Sequence, residues 1–356
     1  MVNVFADFHH GDLYYSLHLL FEKRLKMSLY RPIGLDWFRQ GFWKIAEPYG
    51  NAPDTIDQFL GVPDVSWNVQ KEPTQKYGQV QLIDDVYQIP LRIASETYVH
   101  KAITFEKFLS MDFDYVIATN HLNEYAYAEL VRKHKPEAAY IMQLGNPHVV
   151  PRFCHNILSA LGTPMPPGIN SLRYHPEHHR DYSYAPPANH TMVKSFLTNI
   201  DQTPDYHLWK IFMRAMPEFT FKSHGISCVD GVIPAYMMPD AIKDSAWVWH
   251  VKPTGCGGFV DRQSLACGRP VVMRGRYNVD NQTLIKPDMF QDSMNCVDLD
   301  CGSINETVEK LRYFSDPDRH VEMCQNTAEK FKADVNFDEE ARLIGNWLSD
   351  LKAAHT

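Results

Sequence analysis

The stretch Gly255-Cys256-Gly257-Gly258-Phe259-Val260-Asp261-Arg262-Gln263-Ser264-Leu265-Ala266-Cys267-Gly268-Arg269-Pro270-Val271-Val272 decides how this chain folds. Its glycines lead into a short helix over 259–267, Gly268 stops that helix, and Pro270–Met273 runs on as a buried strand. An apolar strand, Ala246–Val251, comes just before the glycines. Strand, turn, helix and strand make a βαβ unit, the building block of a parallel sheet. At the helix start, unpaired backbone N–H groups and the helix dipole favour a phosphate. Gly255, Gly257 and Gly258 have no side chains to block it, and Lys252 stands upstream to neutralise a diphosphate.

The same alternation extends outward. Met192–Thr198 and Phe219–Ser223 read as strands around a helix over 204–216, which has Pro204 near its start. Helices follow at Asn305–Phe314, 318–332 and about 337–352, the last amphipathic through Ala341, Leu343, Ile344, Trp347 and Leu351. Near the N-terminus, residues 2–8 read as a buried strand, 12–26 as a helix capped by Asp12, and 27–33 as the next strand. Tyr115–Thr119, a helix over 122–134 and Ala138–Leu144 continue the pattern. Residues 34–80 begin rich in Trp, Gly, Pro and Asn and read as an insertion on the sheet edge. The prolines crowded into 162–190 mark a linker or a long irregular loop.

The expected fold is α/β, with two Rossmann-like doubly wound domains facing a central cleft. The first domain covers 1–185 with its insertion at 34–80, the second 186–336, and a helix over 337–356 crosses back to the first. Ligands are expected in the cleft, beyond the carboxyl ends of the strands.

Composition sets outer bounds. The 356 residues suit two domains rather than one core. A formal charge of −8 gives no support for polyanion binding, although a local basic groove would still permit it. The seven cysteines form no CxxC and read as buried or half-buried thiols in a reducing compartment. The start, Met1–Asp7, lacks a basic leader, and no apolar run reaches the ~20 residues of a membrane span. A cytoplasmic location is expected.

The segment 249–273 resembles the donor-binding segment of GT-B glycosyltransferases, in which a glycine-containing loop and helix lead into a small-Cys-Gly-x-Pro-Val-Val strand. The helices over Asn305–Lys332 and the terminal helix resemble that family's final elements, and Phe8–Gly11 its first glycine loop. The resemblance implies transfer of a hexosyl or pentosyl group from a nucleotide sugar, a UDP-sugar first of all, to an acceptor hydroxyl. It also implies no tightly bound cofactor and no essential metal. Many retaining members carry Glu–x7–Glu, and the matching positions here are Gly255 and Gln263, so retention or inversion stays open. A nucleotide-sugar epimerase of the same fold and a non-catalytic protein with a decayed donor site are the alternatives. The acceptor could be a saccharide or a hydroxymethylated DNA base.

Candidate site residues follow from these placements. Lys252, Gly255, Cys256, Gly257 and Gly258 form the phosphate turn; Asp261 and Gln263 are candidates for the sugar hydroxyls. Lys194 and Ser195 end a strand on the donor side, and His224 lines a nucleoside pocket. Asp7, His9 and His10 end the first strand, where His10 with Asp7 as partner would serve an inverting enzyme as base and His9 would meet the acceptor. Trp37 and Trp43 could stack on an acceptor, with Asn120 beside it. His175-Pro176-Glu177-His178-His179 lacks the spacing of H-E-x-x-H and reads as loop. Arg269, Arg274 and Arg276 read as surface charges, or as cleft groups in the case of the last two.

Overall fold

The computed structural model describes residues 2–8, 11–32, 80–119, 124–145, 147, 149–252, 255 and 258–355. Nearly all of the expected insertion, with Trp37 and Trp43, lies outside that set, as do His9, His10, Asn120, Cys256 and Gly257. The chain divides into two compact units, Met1–Glu177 with Phe337–Thr356, and His178–Asn336. The sequence reading put the boundary at 185/186. Residues 178–185 pack instead with the second unit: His178 lies 5.6 Å from Phe331, and Tyr184 presses on Gly268.

The first unit is built on a nine-stranded sheet. Its strands are β1 (Asn3–Ala6), β2 (Ser28–Pro32), β3 (Gln81–Ile83), β4 (Val86–Ile93), β5 (Glu96–Ile103), β6 (Tyr115–Ala118), β7 (Ala139–Leu144), β8 (Asn156–Ser159) and β9 (Asn170–Arg173). Their spatial order is β3-β4-β5-β2-β1-β6-β7-β8-β9. The sheet is parallel from β5 to β9, and β3 and β4 add an antiparallel edge. Alternation along β1 feeds both faces. Phe5 joins Val116, Met142 and Ile157 under α2 (Phe105–Ser110) and α3 (Glu124–His134). Val4 joins Ile117 and Ile141 under Leu17 of α1 (Gly11–His18) and under the C-terminal helix, Phe337–His355. The helix read over 12–26 widens after His18, where Leu25 N bonds Leu20 O, five residues back. The proline-rich stretch is not all loop, since β9 lies within it.

The second unit has five parallel strands: β10 (Met192–Ser195), β11 (Thr220–Ser223), β12 (Trp247–Trp249), β13 (Val271–Met273) and β14 (Cys296–Asp298). Their order is β11-β10-β12-β13-β14. Around them run α4 (Tyr206–Ala215), α5 (Met238–Lys243), α6 (Phe259–Ala266), α7 (Arg276–Asp280), α8 (Ile304–Phe314) and α9 (Pro317–Asp334). Trp247, Trp249, Val193 and Val272 pack with Phe212 and Leu311, as buried parallel strands require. Strand order reverses between β10 and β12, which makes their carboxyl ends the switch point of this sheet.

Arg269 is not a surface charge. It is 0 % exposed, and its guanidinium donates to the carbonyls of Lys243 (2.7 and 3.1 Å), Ala185 (2.8 Å) and Cys267 (3.0 Å). These bonds fasten the end of α5 to the turn after α6. That turn needs glycine, because Gly268 has φ +72° and a Cβ there would lie 2.6 Å from the Tyr184 ring. Among the described cysteines Cys301 is exposed, so the thiols are not all buried or half-buried.

Candidate functional site

The switch point of the second unit gathers most of the described donor candidates. β10 ends at Ser195, β12 runs into His250, Val251 and Lys252, and Gly258 opens α6. Asp261, three residues into the helix, accepts from Gly258 N through Oδ2 at 3.3 Å and so caps the helix start. Its Oδ1 lies 3.1 Å from His250 Nδ1. Asp261 is 0 % exposed and Gln263 is buried as well. Asp261, read as a candidate for the sugar hydroxyls, thus caps the helix start and stands beside the histidine from a buried position.

Lys252 is half-buried, and its ammonium hangs over the helix start. A Cβ placed on Gly258 would lie 3.6 Å from Lys252 Nζ and 3.9 Å from both Cε1 and Nε2 of His250. Among the described residues Lys252 makes no ion pair. Gly255 holds φ +66°, and a Cβ on it would meet Asn278 Oδ1 at 2.6 Å. Asn278 belongs to α7, which thus packs closely against Gly255.

Burial dominates the His250 ring and lowers its pKa to about 4; Asp261 raises it and Lys252 lowers it further. The ring is 4 % exposed and its Nε2 has no hydrogen-bond partner. Sequence reading missed His250, because it closes the apolar run AWVWHV and looks like strand. A polar residue at the carboxyl end of a parallel strand was the available signal.

Other candidates are placed differently. Lys194 Nζ is held at the end of α5 by Asp244 at 2.6 Å and by the Ala241 carbonyl at 3.2 Å. Ser195 is fully buried, and its Oγ accepts from Leu197 N at 3.3 Å. His224 stacks on Phe196, with centroids 5.8 Å apart and planes at 23°, just past β11 and β10. Arg274 is shared by Asp205 (3.1 Å) and Asp300 (3.0 Å).

In the first unit, Asp7 lies at the switch between β1 and β6 but is 0 % exposed. Its Oδ1 accepts from Thr119 N at 2.6 Å and from the Thr119 hydroxyl. Asp7 ties two strand ends together, and His10, the base it is read to partner, lies outside the described residues. His175 bonds Glu340 at 2.6 Å, and His179 Nδ1 accepts from Asp181 N at 3.1 Å. Among the described residues no group of three metal-ligating side chains occurs.

No protein-family profile matches the chain, and no curated protein matches it. Among solved structures its fold recurs over nearly its whole length. HepE of Anabaena, solved with UDP and glucose, is 10% identical with a TM-score of 0.62, the match covering 98% of this chain and 99% of that one. Sucrose-phosphate synthase of Thermosynechococcus elongatus is 10% identical with a TM-score of 0.60, covering 99% and 100%. An α-glucosyltransferase solved with UDP and a mismatched 13-mer DNA is 9% identical with a TM-score of 0.54, covering 92% and 94%. The chain therefore has the GT-B fold, two Rossmann-like α/β domains, as its sequence led us to expect.

Proposed function

We propose that this protein is a glycosyltransferase that moves a hexosyl or pentosyl group from a nucleotide-diphosphate sugar, a UDP-sugar first of all, to an acceptor hydroxyl. One observation carries the reading: at the switch point of the second sheet, an ammonium with no acidic partner among the described residues stands over a helix start. Two positive ends held face to face are unfavourable until an anion sits between them. Lys252 and the first-turn amides of α6 would take the diphosphate and stabilise the charge it gains as the sugar leaves. The Phe196–His224 face beside them would receive the base. UDP in the solved structures of the same fold supports the choice of nucleotide.

Leaving-group stabilisation is assigned here to fixed protein charge, so a chelator should leave turnover unchanged. For the acceptor we favour a saccharide over a modified DNA base, because a charge of −8 works against a polyanion. The unpaired buried thiols Cys154, Cys267 and Cys324 fit a cytoplasmic location, and no described helix is long and apolar enough to cross a membrane.

The test is a panel of nucleotide sugars, read by thermal shift and by nucleotide release with glycan and hydroxymethylated-DNA acceptors. Stabilisation by UDP-sugars and release that depends on an acceptor are expected. A chain indifferent to every nucleotide and nucleotide sugar would sink the assignment.

A further inference from the structure

We infer that His250 is a phosphate ligand of the donor site and takes up one proton when a nucleotide diphosphate binds; the inference rests on the donor reading above. The ring follows β12 directly, at the strand end that faces the helix start. Its Nε2 is buried, lacks a hydrogen-bond partner, and lies 3.9 Å from the point a Gly258 Cβ would occupy. A buried nitrogen with no partner is costly unless a ligand completes it.

The other side of the ring, whose Nδ1 also lacks a hydrogen-bond partner, faces a carboxylate. Asp261 Oδ1 stands 3.1 Å from Nδ1, while Oδ2 of the same carboxylate holds Gly258 N. One carboxylate thus stands between the histidine and the helix start that would carry the phosphates. The charged groups facing the ring are Asp261 from α6 and Lys252 from the histidine's own segment.

With the site empty the ring is neutral, since burial outweighs the Asp261 carboxylate. A diphosphate brings two negative charges to a place that already holds Asp261, where Lys252 is the cation that the described residues set against the ring. A proton from solvent then binds the imidazole. Nδ1–H faces Asp261 and Nε2–H donates to a phosphoryl oxygen. No bond of the nucleotide breaks in this step, and the proton stays on His250 while the sugar leaves. Binding is thereby linked to pH. Between the ring's pKa in the free and in the bound protein, affinity should fall about tenfold per unit rise in pH.

Calorimetric titration of the full chain with UDP-glucose, near neutral pH in two buffers of different ionisation heat, counts the protons directly. UDP-glucose is the probe because its diphosphate is esterified at both ends and does not itself titrate near neutrality. Uptake approaching one proton per nucleotide is expected. His250→Gln should abolish the uptake and flatten the pH dependence, since its amide still donates but cannot titrate. Binding by the unaltered protein without proton uptake, or uptake that persists in His250→Gln, overturns the role of His250 and leaves the donor reading intact. Should the variant not fold, the proton count of the unaltered protein decides alone. If that protein binds neither UDP-glucose nor any other nucleotide, the donor reading itself fails, and this inference with it.

Discussion

Lys252 carries its charge over the positive end of α6 and forms no ion pair with any described residue. In the free protein that arrangement costs stability, on the order of 0.3–1 kcal/mol for a like charge at a helix end. In the complex the same ammonium gains a charge-assisted hydrogen bond, worth roughly 1.5–3 kcal/mol. Lys252→Ala should therefore raise the melting temperature of the free protein slightly while weakening UDP binding by roughly 10- to 100-fold. Paired thermal-shift and binding titrations check both signs, and a variant that loses stability along with affinity would contradict the account. Gly255→Ala acts oppositely: with φ +66° and Asn278 Oδ1 2.6 Å from the new Cβ, it should cost about 1–3 kcal/mol in urea unfolding. Lys252 and Gly255 could be singled out in the sequence because glycines and a cation before a helix have a direct electrostatic meaning. The capping role of Asp261 was not read, although its three-residue offset from Gly258 is the offset of a helix-capping carboxylate. Its burial is a property that sequence does not display.

The elements that could be read were those with a strong local signal. Short apolar runs such as VNVFADF and AWVWHV announce buried parallel strands, and β1 and β12 lie within them. β9 has mostly exposed residues, Asn170, Ser171 and Arg173, in a stretch crowded with prolines, so nothing in its composition marks a strand. The β3–β4–β5 meander escaped for a different reason. Its turns, Asp84-Asp85 with φ +51° and +61° and Ala94-Ser95 with φ +47° at Ala94, adopt hairpin backbone without the Asn-Gly or Asp-Gly pair that signals it. The C-terminal helix was legible as an amphipathic stripe, but its partner was not. Ala341, Ile344, Leu348 and Leu351 close the lower face of the first sheet, and the Tyr115 hydroxyl donates to the Leu348 carbonyl at 2.9 Å. Leu348→Ala should cost about 2–5 kcal/mol, the loss of a fully buried leucine with the cavity it leaves. Because the proposed donor groups lie in the other unit, affinity for UDP should be unchanged under conditions where the variant is folded. Denaturant melts and nucleotide titration test the two halves of that statement.

Across the molecule, buried histidines set the response to acid. Burial is the first cause of a lowered pKa at His18 and His100 in the first unit and at His178, His250 and His320 in the second. For the last three the folded value is about 4 against an ordinary 6.5. Between those values the unfolded chain binds more protons than the folded one, so stability rises with pH through the window. It is fully present above about pH 6.5 and drains as pH falls toward about 4. Carboxylates with lowered values, Glu218, Asp288, Glu306 and Glu339, add to the loss only below their ordinary range near 4, so the upper part of the window belongs to histidine. Each of the three histidines stands for on the order of 3 kcal/mol. Their sum rivals the roughly 5–15 kcal/mol that holds a domain folded. The second unit should therefore begin to unfold near pH 5, exposing Trp209, Trp247 and Trp249, which are buried in its core. Tryptophan emission against pH reads the transition. His320→Gln or His178→Gln should move its midpoint to lower pH. A midpoint unmoved by all such variants, or a transition confined to pH below about 4, would assign acid unfolding to the carboxylates instead.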